Sequence, residues 1–254
     1  MNELVFLGTG AADWDLQKRD VFFRRHSSAL LNGTLLFDCG RHIWDFAQCR
    51  DRNALDGVTD VLITHDHDDH FDKESLLRLA QNRRIRVACD AYARQVVGEH
   101  ENIEYVPVTP FEPFCLGKYK VMPVLANHDV VQHGGRQACH YIVRTPNRKT
   151  MLYALDGAWF LRPTWEEMKR HRFDVMVLEC TVGDREDCRI FEHNNIPMLR
   201  YLVREIRSEK LPEKNGVIVA SHISRNLHES TEHTTALLKE ADILTAYDGL
   251  TLRF

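Results

Sequence analysis

Residues 64–72 read THDHDDHFD and directly follow the apolar run GVTDVLI at 57–63. Three histidines and four aspartates share nine positions. Imidazole and carboxylate groups are costly to crowd together unless water or a metal satisfies them. On a strand end, side chains at i and i+2 share a face, which pairs His65 with His67. The turn that follows can carry Asp69 and His70 round to a second centre. Imidazole suits zinc, manganese, iron and nickel, and added carboxylates favour a catalytic site with an open position over a closed structural one. The bland alternative is a solvated acidic loop with incidental histidines. The two differ in what the rest of the chain must supply, because a metal centre needs further ligands at neighbouring strand ends.

Strand-length apolar runs recur along the chain: ELVFLG, SALLNGTLLFDCG, VTDVLITH, IRVACD, YKVMPVLANH, HYIVRT, TMLYALD, DVMVLEC and GVIVASH. Each is bounded by turn-forming or charged residues. Asn32-Gly33, between two apolar runs, predicts a hairpin. Helical periodicity lies between the runs. DKESLLRLAQNRR starts at Asp72, a predicted N-cap. IPMLRYLVREIRSE aligns Ile196, Leu199, Leu202, Val203 and Ile206 on one stripe, with Pro197 where a helix start tolerates it. TEHTTALLKEA is a third helix. These elements predict two packed sheets covered by helices. Asp38, His65, His128, Asp156, Glu179 and His222 fall at or just past the C-terminal ends of apolar runs, where scaffolds present chemistry.

The 254 residues show no repeat or Pro/Gly/Ser-rich linker, which predicts one domain over 1–254. A net charge of −4 argues weakly against broad nucleic-acid binding. Seven scattered cysteines without a CxxC pair read as reduced thiols. MNELVFLGTG reads as a first strand and not a signal peptide, and no run approaches the ~20 apolar residues of a membrane span. A cytoplasmic location without membrane association is therefore expected.

His65-x-His67-x-Asp69-His70 resembles the signature of the metallo-β-lactamase fold hydrolases. FLGTG at 6–10 resembles that family's opening strand and turn, and LLFDCG at 35–40 its next segment, ending near Asp38. LANHD, LYALDG and VIVASHIS supply His128, Asp156 and His222 in the family's order. Within the family, the chain is most similar to the cyclic phosphodiesterase of the phosphonate carbon–phosphorus lyase pathway, and next to the tRNA 3′-end processing endonuclease. The resemblance implies an α/β fold, a four-layer αβ/βα sandwich with a dinuclear site at one edge between the sheets. It implies two divalent transition metals, zinc or manganese first, with iron or nickel also compatible. His65, His67 and His128 would hold one ion and Asp69, His70 and His222 the other, with Asp156 bridging and room left for a shared water. Asp69 and His193, the latter in FEHNN, are the expected catalytic residues. His193 matches by position a histidine that acts at the phosphodiesterase's active site.

Some features depart from those relatives. The stretch AADWDLQKRDVFFRRHSS lacks the phosphodiesterase's zinc-binding cysteines, and Arg225 stands where that relative has a histidine, so no structural zinc is expected. No Gly/Pro-rich tRNA-gripping arm is present, so extended nucleic acid is not the expected partner. His67, where redox diiron members carry a glutamate, argues for hydrolysis. The expected substrate is a small or cyclic phosphodiester, with a carboxylic ester, thioester or lactone as the alternative, and a homodimer stays open. A non-catalytic scaffold would be expected to lose ligands, and all seven are present. His133 and Arg136, in HDVVQHGGRQACHY, could contact substrate, although a solvated loop is the preferred reading.

Overall fold

The computed structural model describes residues 1–15, 17, 23–128 and 138–254. Its elements in chain order are β1 (Glu3–Gly8), β2 (Ser28–Leu31), β3 (Leu35–Phe37), α1 (Ile43–Cys49), β4 (Asp60–Leu62), α2 (Lys73–Ala80) and β5 (Ile85–Cys89). There follow α3 (Ala91–Val97), β6 (Ile103–Pro107), β7 (Phe114–Leu116), β8 (Tyr119–Leu125), β9 (Cys139–Arg144), β10 (Thr150–Ala154) and α4 (Arg162–Met168). The chain ends with β11 (Phe173–Glu179), α5 (Ile196–Ser208), β12 (Pro212–Ser221), α6 (Thr231–Glu240), β13 (Leu244–Thr245) and β14 (Thr251–Arg253).

Two seven-stranded sheets form, in the orders β14-β1-β2-β3-β4-β5-β6 and β13-β12-β11-β10-β9-β8-β7. The period-two alternation of strands divides their apolar residues between two cores. Leu4, Phe6, Leu35 and Phe37 of the first sheet face Tyr141, Val143, Tyr153 and Val177 of the second, with the Phe37 and Tyr153 rings stacked at 4.5 Å. The intervening residues face outward. Leu36, Val61 and Val87 pack beneath Phe46 of α1, Leu76 and Leu79 of α2, and Ala93 of α3. Ile142, Leu152, Met176 and Ile218 pack beneath Met168 of α4, Leu199, Val203 and Ile206 of α5, and Leu238 of α6. The result is the expected αβ/βα sandwich. β11 is buried along its whole length, as a parallel strand covered on both faces must be.

The predicted helices form where their signals stand. The Asp72 side chain accepts from the Ser75 amide, and all five stripe residues of α5 are buried. Asn32 and Gly33 both take positive φ in the β2–β3 turn. Three short helices (α1, α3, α4) and the strands β6, β7, β13 and β14 are additions to the sequence reading. No helix among the described residues is long and apolar enough to cross a membrane.

Candidate metal centre

Strands β3-β4 of the first sheet and β10-β11-β12 of the second run parallel within their sheets. Each set therefore delivers its C-terminal ends to one side. Asp38 follows β3, the 64–70 segment follows β4, His128 lies three residues past β8, Asp156 follows β10, Glu179 closes β11 and His222 follows β12. Asp38, Asp156 and His222 share a further property: all three have left-handed backbone, with φ of 58°, 48° and 54°. Left-handed non-glycine residues are disfavoured, and they concentrate at functional sites.

The seven predicted ligands form two adjoining groups. His65, His67 and His128 make one, and Asp69, His70, Asp156 and His222 the other, the ligand atoms in each lying within 4.8 Å of one another. In the second group, His70 Nε2 is 3.2 Å from His222 Nε2 and 3.4 Å from Asp69 Oδ2, and His222 Nε2 is 3.3 Å from Asp69 Oδ2. In the first, His128 Nε2 is 3.2 Å from His67 Nδ1. The edge of a tetrahedron around an ion with ~2.0–2.1 Å bonds is about 3.3–3.4 Å, so these separations suit such an ion. Asp156 Oδ2 lies 2.6 Å from His70 Nε2 and 3.4 Å from His65 Nε2, which puts this one oxygen in contact with both groups.

The surrounding hydrogen bonds fix which nitrogens face inward. His70 Nδ1 lies 2.8 Å from Asp38 Oδ2, a carboxylate that can only accept, so Nδ1 carries the proton. Thr64 Oγ1 donates its one proton to Asp38 Oδ1 at 2.9 Å, so His65 Nδ1, 3.0 Å away, donates to Thr64. The arrangement repeats across the site. Thr181 Oγ1 donates to Glu179 Oε2, and His222 Nδ1 donates to Thr181 Oγ1 at 2.8 Å. Three Nε2 lone pairs are thereby aimed at each other and at two buried carboxylates. His65 Nε2 and His128 Nδ1 are buried without a hydrogen-bond partner. Buried lone pairs and carboxylates so arranged are unsatisfied as they stand and are met by cations, so the donor set fits divalent metal.

The electrostatics agree. Burial opposes a charged His70 ring, yet Asp69, Asp156 and Asp38 outweigh it and hold its pKa well above the usual imidazole range. Three carboxylates around one imidazole thus demand positive charge at that point. Burial likewise drives His65 well below that range, with His70 adding to the effect.

His193 stands beside the ligands. Its Nδ1 is 3.3 Å from Asp156 Oδ1 and 3.9 Å from Glu179 Oε2, and its ring lies 5.0 Å from that of His128. Burial works against its protonation, but Asp156 and Glu179 prevail and its pKa is pushed up to about 9. The backbone amide of Asn194 donates to Glu179 Oε1, and Asn195 caps α5, which fixes the loop carrying His193. A cavity of about 330 Å³ opens here, lined by His67, Asp69, His128, Asp156, His193 and His222 among others. Its far wall is the segment around Asp13, whose carboxylate accepts from Ser224 Oγ and the amides of Arg225 and Asn226. Arg225 lies over the Trp14 ring at 5.9 Å. His133 and Arg136 lie outside the described residues.

Glu179 and Asp38 had only a strand-end position to mark them, and Thr64 and Thr181 had no signal. Their roles emerge from the hydrogen bonds: each threonine carries a histidine's orientation back to a buried carboxylate.

A family model described as the beta-lactamase superfamily domain matches residues 34–241. The chain is 28% identical over 145 residues to the "UPF0173 protein YddR" of Bacillus subtilis (strain 168), and the match spans 53% of the chain and 53% of that protein. Among solved structures, it resembles Zn(2+)-bound PqqB from Methylobacterium extorquens (TM-score 0.75, 16% identity, covering 99% and 100% of the two chains). It also resembles the short form of human tRNase Z (TM-score 0.70, 16% identity, covering 99% and 98%). With four-fifths of its length matched by the family model and a His/Asp cluster able to hold metal at its strand ends, the chain belongs to the beta-lactamase superfamily and has the metallo-β-lactamase fold.

Proposed function

We propose that the protein is a dinuclear metal-dependent phosphodiesterase acting on a small or cyclic phosphodiester. His65, His67 and His128 would hold one ion, Asp69, His70 and His222 the other, and Asp156 would bridge. Two divalent ions there, with zinc or manganese the best suited, would supply an acidified water and electrostatic stabilisation of charge building on a phosphoryl group. The chain's own groups do the rest. Asp38 and Thr64, with Thr181 and Glu179, keep the histidines in the ligating tautomer.

The observation that carries the reading is His193, an imidazole beyond the seven ligands that lines the cavity at 3.3 Å from Asp156. Phosphodiester cleavage expels an alkoxide, which needs a proton, and a positioned imidazole is the usual donor. A cavity of about 330 Å³ suits a substrate of mononucleotide size more than a polymer. Ala11, Ala12 and Leu227 on its wall support the second reading, an acyl ester, thioester or lactone substrate. The test is metal analysis of the purified protein coupled to a substrate panel. The proposal expects about two equivalents of transition metal per chain and turnover of bis-aryl phosphate or a 2′,3′-cyclic nucleotide. Turnover of only thioester or lactone would select the second reading, and a metal-replete preparation without bound metal would refute both.

A further inference from the structure

At the opposite end of the second sheet, a groove of about 400 Å³ lies between the outer face of β8-β9-β10 and the chain leaving α4. Lys120 stands at the start of β8 and Arg144 at the end of β9, and the two are direct partners in the antiparallel register. Thr150 of β10 is the next residue in the same row. Like charges directly opposite one another in a sheet repel. Here the repulsion is reinforced, because Arg148, Arg170 and Arg172 line the same groove.

Little on the protein offsets this charge. Asp174 is already engaged by Lys149 at 2.7 Å and by the Thr150 amide, and Arg170 alone of the five cations has a carboxylate, that of Glu167 at 3.0 Å. Among the described residues, no ion pair engages Lys120, Arg144 or Arg148. Glu213 is the remaining acid of the lining. The floor is apolar: Ile142 is buried and Met122 half-buried. Five cations around a concave apolar floor, on a chain whose net charge is −4, form a local reversal of sign. Between Lys120 and His128 the chain runs eight residues, mostly extended, so the groove lies roughly 25 Å from the metal cluster.

We propose that this groove binds a small organic phosphate, its phosphoryl oxygens held by Lys120, Arg144 and Arg148 and its apolar body resting on Met122 and Ile142. Multiple guanidinium donors match phosphoryl oxygens. A small apolar floor gives an organic body a place that a bare ion could not use. The proposal is independent of the metal centre's substrate.

The probe is MgATP, with inorganic phosphate and adenosine as its two halves, titrated into the metal-loaded full chain by calorimetry. MgATP is expected to bind saturably and more tightly than either half. Arg144→Ala should weaken it at least tenfold and His67→Ala, at the distant metal cluster, should leave it in place. Lys120→Glu creates an opposite-charge pair with Arg144. It should abolish MgATP binding, leave bis-aryl phosphate hydrolysis unchanged, and raise the ligand-free Tm by about 1–3 °C. Should Lys120→Glu fail to fold, Lys120→Gln carries the same binding test. The proposal is overturned by no saturable binding to the wild type, by binding that survives both groove variants, or by binding lost with His67→Ala. Inorganic phosphate binding as tightly as MgATP would overturn the role given to the apolar floor.

Discussion

Gly40→Ala should disable the metal centre from a position that holds no ligand. A Cβ at Gly40 would meet the Asp69 carbonyl oxygen at 2.3 Å and its carbon at 2.9 Å. Tolerable contacts begin at 3.0–3.4 Å, so the two backbones must part by about 0.7–1.1 Å. There is little slack to absorb this. The Cys39 amide donates to the His70 carbonyl at 2.8 Å, and the Asp72 amide to the Cys39 carbonyl at 2.9 Å, which fastens the strand end and the 69–72 segment together around the glycine. The shift therefore falls on Asp69 and His70. Overpacking of this kind costs about 1–3 kcal/mol, equivalent to roughly 3–10 °C of Tm in a chain of this length. Misplacing these two proposed ligands should lower affinity for the proposed second ion about 10–100-fold, the usual span for losing a ligand's support. The assay is competition of the loaded protein against a chelator series, with metal counted per chain. Gly33→Ala is the control: nothing lies within 4 Å of its Cβ, although its φ is +68°, so it should lose some stability and no metal. If Gly40→Ala holds both equivalents as tightly as the wild type, the coupling of strand end to metal segment is wrong.

Thr181→Val removes the oxygen that accepts from His222 Nδ1, and should weaken the second ion about 10–100-fold with the fold intact by circular dichroism; unchanged affinity would remove Thr181 from the site's support. Asp69→Ala removes an anionic ligand and should abolish both the second equivalent and turnover, so a variant with full metal content and activity would strike Asp69 from the centre. His193→Ala should keep both metals and lose about 10²–10⁴ in rate with an alkyl leaving group. That loss should shrink with nitrophenolate, which leaves without a proton. An equal loss for both leaving groups would point instead to substrate binding, and no loss would return His193 to a structural role.

Much of the layered architecture was legible because buried strands and amphipathic helices leave periodic traces. Asp72 and the stripe from Ile196 to Ile206 announced α2 and α5. Helices α1, α3 and α4 left no such trace: at seven residues each they complete barely two turns, too few for a 3.6-residue period to stand out. β14 pairs with β1 across nearly the whole chain, and its three residues are half-buried or exposed, so neither length nor pattern marked it. At the site, the seven clustered residues were readable because ligand chemistry restricts residue type. The hydrogen bonds that orient them were not. Asp38 and His70 meet over 32 positions and Thr181 and His222 over 41, and no local spacing encodes such a meeting.

The left-handed backbone at Asp38, Asp156 and His222 also bears on how such a chain can change. At each of these strand ends the backbone by itself favours glycine, by about 1 kcal/mol. While metal chemistry is under selection, a carboxylate or imidazole is kept there against that preference. Once it is not, glycine relieves that strain most readily at Asp156, whereas at Asp38 the bonds accepted from Thr64 and His70 still hold the carboxylate in place. The fold therefore has a downhill first step away from metal binding, one that would erase the carboxylate touching both histidine groups while leaving the strand pairing of both sheets as it was.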